Sequence, residues 1–175
     1  MHTVSPVNEA ARVGAYISSQ RSIRDLNAAG LHFESVDFSH RQFFECNFEY
    51  ASFNMCLFTG SRMRMSFFAF CQFENCDFSR SDLQYLNFAG SGLLNCTFES
   101  SELVHLNYNG CGIRGCTFNN SNLYHSRFIN ADIFMSDFVD CNLKKTNFFR
   151  IKQESVSFKS SNTAEAIFFM ENGTE

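Results

Sequence analysis

The residues with the most chemistry to offer are eight cysteines: Cys46, Cys56, Cys71, Cys76, Cys96, Cys111, Cys116 and Cys141. A thiolate is a metal ligand and a nucleophile, and two thiols can pair as a disulfide. Cys71 and Cys76, like Cys111 and Cys116, are CxxxxC pairs, and Cys56, Cys76, Cys96 and Cys116 recur every twenty residues. His105 and His125 are also twenty apart, with Tyr85 before them and Lys145 after. A catalytic histidine needs an orienting partner and a nucleophile in a cleft. No glycine-rich phosphate loop, HExxH or nucleophile elbow accompanies either set. What the cysteines do therefore depends on the element that carries them.

That element has a period of five. Every fifth residue from Phe33 to Phe148 is large and apolar, without gap or insertion; Gln153 breaks the series, and Phe158 and Phe168 resume it weakly. On an α-helix such a stripe would drift around the axis, and on a flat strand successive members would point to opposite faces. A chain that turns a corner every five residues satisfies the pattern, each short side pointing one large residue inward.

Sorting by twenty gives the number of sides. Phe38, Phe58, Phe78, Phe98, Phe118, Phe138 and Phe158 form one uniform column, and Phe48, Phe68, Phe88, Tyr108, Phe128, Phe148 and Phe168 an aromatic one. Phe43, Met63, Leu83, Leu103, Leu123 and Leu143 form a mostly aliphatic column, and Phe33, Phe53, Phe73, Leu93, Ile113 and Ile133 the fourth. Residues twenty apart are expected to stack, so four sides close one coil. The position two before each centre is mostly Cys, Ser or Ala, and all eight cysteines fall in it. The cysteines thus read as inward corner filler of fitting size; no histidine shares their position, and no metal or cofactor is expected.

The units CDFSR, SDLQY, SNLYH, ADIFM and CNLKK resemble the A(D/N)LXX unit of the pentapeptide-repeat family. The resemblance spans roughly residues 31–150 and implies an all-β fold, a right-handed quadrilateral β-helix of six to seven coils. At a strand spacing of about 4.8 Å per coil the rod would be roughly 30 Å long. It implies no enzymatic activity. Family members bind protein partners, some as DNA mimics that protect DNA gyrase from quinolones or toxins, and others are bacterial effectors delivered into host cells. Related proteins also dimerise through their C-terminal ends, which makes Phe169 and Met170 candidate contacts.

Residues 1–30 read as an N-terminal cap, 31–170 as the β-helix and 171–175 as a polar tail. Ser5-Pro6 and Glu9 suit a helix start, and a helix over about 6–18 would turn Val7, Ala10 or Ala11, and Ile17 to the first coil. The N-terminus has no basic start followed by an apolar run, and no apolar window is long enough to span a membrane. A cytoplasmic setting with reduced thiols is the expectation. The net charge of −4 argues weakly against direct nucleic-acid binding. On the outside, Asp37, Asp77, Glu99, Asp137 and Asp140 give the Phe38 face an acidic balance against Arg80 and Lys159. Arg41, Arg62, Arg64, Lys144 and Lys145 lie on the Phe43 face, and Phe67 and Phe70, near Tyr50, mark a candidate apolar patch on the Phe48 face.

Overall fold

The computed structural model describes residues 6–170; Ser5 and the 171–175 tail lie outside the described residues. The chain is a parallel-strand solenoid of about seven turns with one short N-terminal helix. The helix, α1 (Pro6–Ser19), buries Ala10 and Ile17 and leaves Ala11 exposed; Val7's side chain lies outside the described residues. Arg41 ties the helix end to the coils by donating to the Ser18 carbonyl at 2.9 Å.

Coil follows coil in a register of twenty. Phe53 pairs with Phe73 and Phe73 with Leu93 on the Phe33 face, while Phe43 pairs with Met63 and Met63 with Leu83 on the Phe43 face. The remaining two faces are joined by single bridges such as Asp37 to Leu57 and Asn47 to Phe67, until Phe148 and Phe149 pair with Phe168 and Phe169 as strands in the last coil. Backbone groups are satisfied between coils, as where the Phe78 amide donates to the Thr97 carbonyl at 2.7 Å. The strand Ser22–Arg24 pairs in parallel with Gln42–Phe44, so coiling begins inside the stretch that reads as a cap. Ile23 and Ala28, both buried, take the inward positions there without the aromatic signature that starts at Phe33.

The centres of each side form a filled interior. All the aromatics from Phe38 to Phe148 at these positions are buried, and all but Phe43 stack on an aromatic equivalent one coil away. Phe58 and Phe78 lie 4.4 Å apart at an interplanar angle of 1°, and Phe98 and Phe118 4.9 Å apart at the same angle. Such pairs add about 0.5–1.5 kcal/mol each beyond burial. Packing loosens toward the end: Phe158 is half-buried and Phe168 exposed.

The corners have a conformation of their own. Every fifth residue from Asp25 to Glu165 has φ between 48° and 71°, and only five of these positions are glycine. The left-handed residue turns the chain through a corner between one side and the next. For a residue with a Cβ it costs roughly 1–2 kcal/mol, which the bonds between coils offset. The small class two before each centre completes the corner. Ser81 donates to the Phe58 carbonyl at 2.8 Å and Ser101 to that of Phe78 at 2.9 Å, and the Ser81 amide donates to the Ser101 hydroxyl at 3.1 Å. Size is therefore only half of the requirement; the side chain also serves backbone groups of adjacent coils.

Candidate partner-binding surface

Cys46, Cys56, Cys71, Cys76, Cys96, Cys111, Cys116 and Cys141 are all buried and free. Cys76 donates to the Phe53 and Glu74 carbonyls, each at 3.4 Å, and Cys96 and Cys116 repeat the arrangement. Burial raises the thiols of Cys46 and Cys141, and pushes those of Cys71 and Cys111 up to about 12. In the stacked column, hydrogen bonding to Cys76 and Cys116 raises Cys56 and Cys96 respectively, and burial adds to it. The same shared bonds pull Cys76 and Cys116 down while burial opposes the change. No group of three or more His, Cys, Asp or Glu suited to a metal occurs among the described residues.

The outer columns are the surface that a partner would meet. Tyr50 and Phe70 occupy left-handed corners one coil apart, and their rings stack at 5.2 Å with an interplanar angle of 10°. Tyr50 is 64% exposed, Phe70 54% and Phe67, at a bridge position of the Phe48 face, 47%. Gly90 continues this corner column, and a Cβ there would come within 2.6 Å of the Phe70 ring. The missing side chain gives the ring its resting place. Met65, also exposed, stands at the other end of the side that carries Phe67.

The acidic residues are spread along the Phe38 face. Asp37 and Asp77 each accept from the amide two residues on, Ser39 and Ser79, at 2.8 Å, and Asp77 also accepts from the Thr59 hydroxyl at 3.0 Å. Glu99 accepts from Asn120 at 3.5 Å, and Asp137 and Asp140 are exposed. Arg80 stands among them at a corner. On the Phe43 face, Tyr85 and His105 stack at 5.0 Å, and the His105 and His125 rings lie 4.9 Å apart, tilted by 42°. Their surroundings form an open notch with Arg127, and its lining holds no serine, threonine or cysteine among the described residues.

Residues 42–80 match the model for pentapeptide repeats (8 copies), and residues 91–168 match that for a pentapeptide repeat region. The chain belongs to the pentapeptide-repeat family. Among solved structures, this pentapeptide-repeat protein is similar to HetL from the cyanobacterium Nostoc sp. strain PCC 7120, a protein involved in heterocyst differentiation regulation. That match has a TM-score of 0.53 and 14% identity, covering 93% of this chain and 97% of HetL. Full-length QnrB1, a plasmid-mediated fluoroquinolone resistance protein, matches at a TM-score of 0.33 and 16% identity over 86% of this chain and 94% of its own. Rfr23 from the cyanobacterium Cyanothece 51142 matches at 0.36 and 13%, over 86% of this chain and all of its own. At these identities the likeness shows the fold. No curated protein matches the chain.

The repeat protein also carries surface features that sorting residues by face hides. Where the Phe38 face meets the Phe43 face, an open notch of about 340 Å³ is lined by Arg21, His40, Arg41, Arg62, Arg80 and Asp82. Assigned to separate faces, these basic side chains look scattered. The signal was their position beside one shared corner, with His40 and Arg41 adjacent in sequence and Arg80 and Asp82 nearly so. No described helix is long and apolar enough to cross a membrane.

Proposed function

We propose that this pentapeptide-repeat protein is a non-catalytic binding module that presents its outer columns to a protein partner. The observation that carries the reading is the exposed aromatic patch of Tyr50, Phe67 and Phe70. Contiguous exposed apolar surface on a soluble rod marks an interaction site, and aromatic residues supply much of the energy at such sites. The ring stack at Tyr50–Phe70 pre-orders the surface before a partner arrives. Affinity capture from extracts of the encoding organism tests it. The wild-type protein is expected to retain a partner in stoichiometric amount, and the Phe67→Ser/Phe70→Ser variant to lose it. Retention of nothing by the wild type, or equal retention by both, counts against the proposal.

DNA gyrase as the partner, by DNA mimicry, draws support from the acidic residues of the Phe38 face and is weakened by the Arg80 and Lys159 side chains among them. A supercoiling assay with the purified protein tests it: neither inhibition nor quinolone protection at micromolar protein would exclude it. Self-association through the C-terminal end is supported by the exposed Ile167, Phe168 and Phe169 on the last strand, Ile167–Met170. The Met170 side chain lies outside the described residues. Light scattering coupled to size exclusion is expected to show a dimer that Phe169→Glu converts to a monomer; a monomeric wild type would refute the dimer.

A further inference from the structure

The corner notch differs from the rest of the surface in how its cations are used. Arg62 and Arg64 share Asp82, at 3.1 and 2.5 Å. Arg21, His40 and Arg80 make no ion pair or side-chain hydrogen bond among the described residues. Arg41 donates one terminal nitrogen to the Ser18 carbonyl, while its Nε is buried without a partner. An unsatisfied buried donor on a charged group is costly. Gly60 sits between His40 and Arg80 in the corner column; its missing side chain leaves room for the His40 ring, which a Cβ would meet at 2.6 Å.

The extent of the cationic surface indicates the size of its ligand. Arg21 and Arg41 are one coil apart, and His40 and Arg80 two coils apart. At about 4.8 Å per coil the cations run over roughly 10–15 Å, more than one phosphate spans. Four residues of extended polypeptide cover about that length. The flanks carry Asp37, Asp77 and Glu99 along the Phe38 face, which oppose a long polyanion such as duplex DNA. Ser39 hydrogen bonds hold Asp37 below the usual carboxylate range, with Arg41 and His40 assisting, so this flank stays charged at neutral pH.

We propose that the notch of Arg21, His40, Arg41 and Arg80 is a docking site for a short acidic segment of a protein partner, its carboxylates paired with the guanidinium groups. Arginine forks suit carboxylates through paired N–H donors. The proposal rests on the reading of the chain as a binding module and adds the chemistry of a second contact, separate from the aromatic patch.

The test is a fluorescence-anisotropy titration of the full chain with a labelled dodecapeptide of alternating Glu and Gly. The Gln-for-Glu peptide and a labelled duplex DNA serve as the other arms. The Glu peptide is expected to bind and the Gln peptide not to. Arg21→Glu/Arg80→Glu is expected to weaken binding by more than tenfold. Lys152→Glu/Lys159→Glu, the same charge change elsewhere, should alter it less than twofold. Circular dichroism checks the fold, and Arg21→Ala/Arg80→Ala replaces the reversal should it not fold. No saturable binding at millimolar peptide, equal loss in both double variants, or tighter binding of DNA than of the Glu peptide would each overturn the proposal. None of these results involves Phe67 or Phe70, so failure here leaves the capture experiment to judge the binding-module reading separately.

Discussion

The amide of Cys71 donates to the hydroxyl of Ser91 at 2.9 Å, one coil on, while the Ser91 hydroxyl donates to the Phe68 carbonyl at 2.7 Å. A serine at this position thus serves two backbone groups. Ser91→Ala leaves a buried amide and a buried carbonyl short of a partner and is expected to cost about 1–3 kcal/mol. Cys76→Ala removes a weak donor and one heavy atom's packing and should cost only about 1 kcal/mol. Urea unfolding of the two variants checks the order; a Cys76→Ala loss larger than that of Ser91→Ala would show that the thiol has a role beyond filling the corner.

Tyr108 stands in a column otherwise filled by phenylalanine, stacked 5.2 Å from Phe88 and 4.8 Å from Phe128. Its hydroxyl is buried with no hydrogen-bond partner, and burial raises its pKa well above the ordinary value. Tyr108→Phe keeps the ring and removes the stranded hydroxyl. The variant is expected to be more stable by about 1–2 kcal/mol, read as a rise in the denaturation midpoint. A lower midpoint would mean that the hydroxyl is satisfied in solution.

The left-handed corners make opposite predictions at two sites. Met135 has φ of 48° and is exposed. Met135→Gly relieves the backbone penalty and gives up chain entropy, for a net gain of about 0.5–1 kcal/mol. Gly90, at φ of 71°, lies under Phe70. Gly90→Ala is expected to destabilise by about 1–2 kcal/mol and to tilt the Phe70 ring. Thermal melts of both variants decide; equal effects of the same sign would contradict the corner argument.

Asp82 is opposed by burial, but Arg64 and then Gln84 and Arg62 outweigh it and hold its carboxyl below the ordinary range. Because the folded-state value is depressed, its contribution is present above the unfolded value near 3.9. It is lost as pH falls through the lower folded value. Partly exposed ion pairs contribute about 0.2–1 kcal/mol, so Asp82→Asn should lower stability by that much at pH 7 and by nothing near pH 2. A constant difference across that window would refute the linkage.

The interior was legible because each side of the coil admits one large side chain, and the five-residue and twenty-residue recurrences follow from that alone. The start of the coil was not, since Ile23 and Ala28 satisfy the same positions without aromatic rings. The left-handed corners were equally hidden. Residues as different as Asn75, Arg80, Tyr85 and His105 share that conformation, which bonds between coils impose rather than residue type. The candidate surface was half visible: Phe67 and Phe70 stand out as apolar residues in outward positions, and the notch around Arg41 does not. Its members come from two faces and meet only at the edge between them.

The central claim, that the chain binds a protein through its aromatic corner, is tested most directly by hydrogen–deuterium exchange on the complex with the captured partner. The account expects new protection in the segments holding Tyr50, Phe67 and Phe70, with the opposite Phe38 face around Ser100 and Asn120 unchanged. Protection confined to that opposite face, with exchange at Tyr50, Phe67 and Phe70 unaltered, would contradict it.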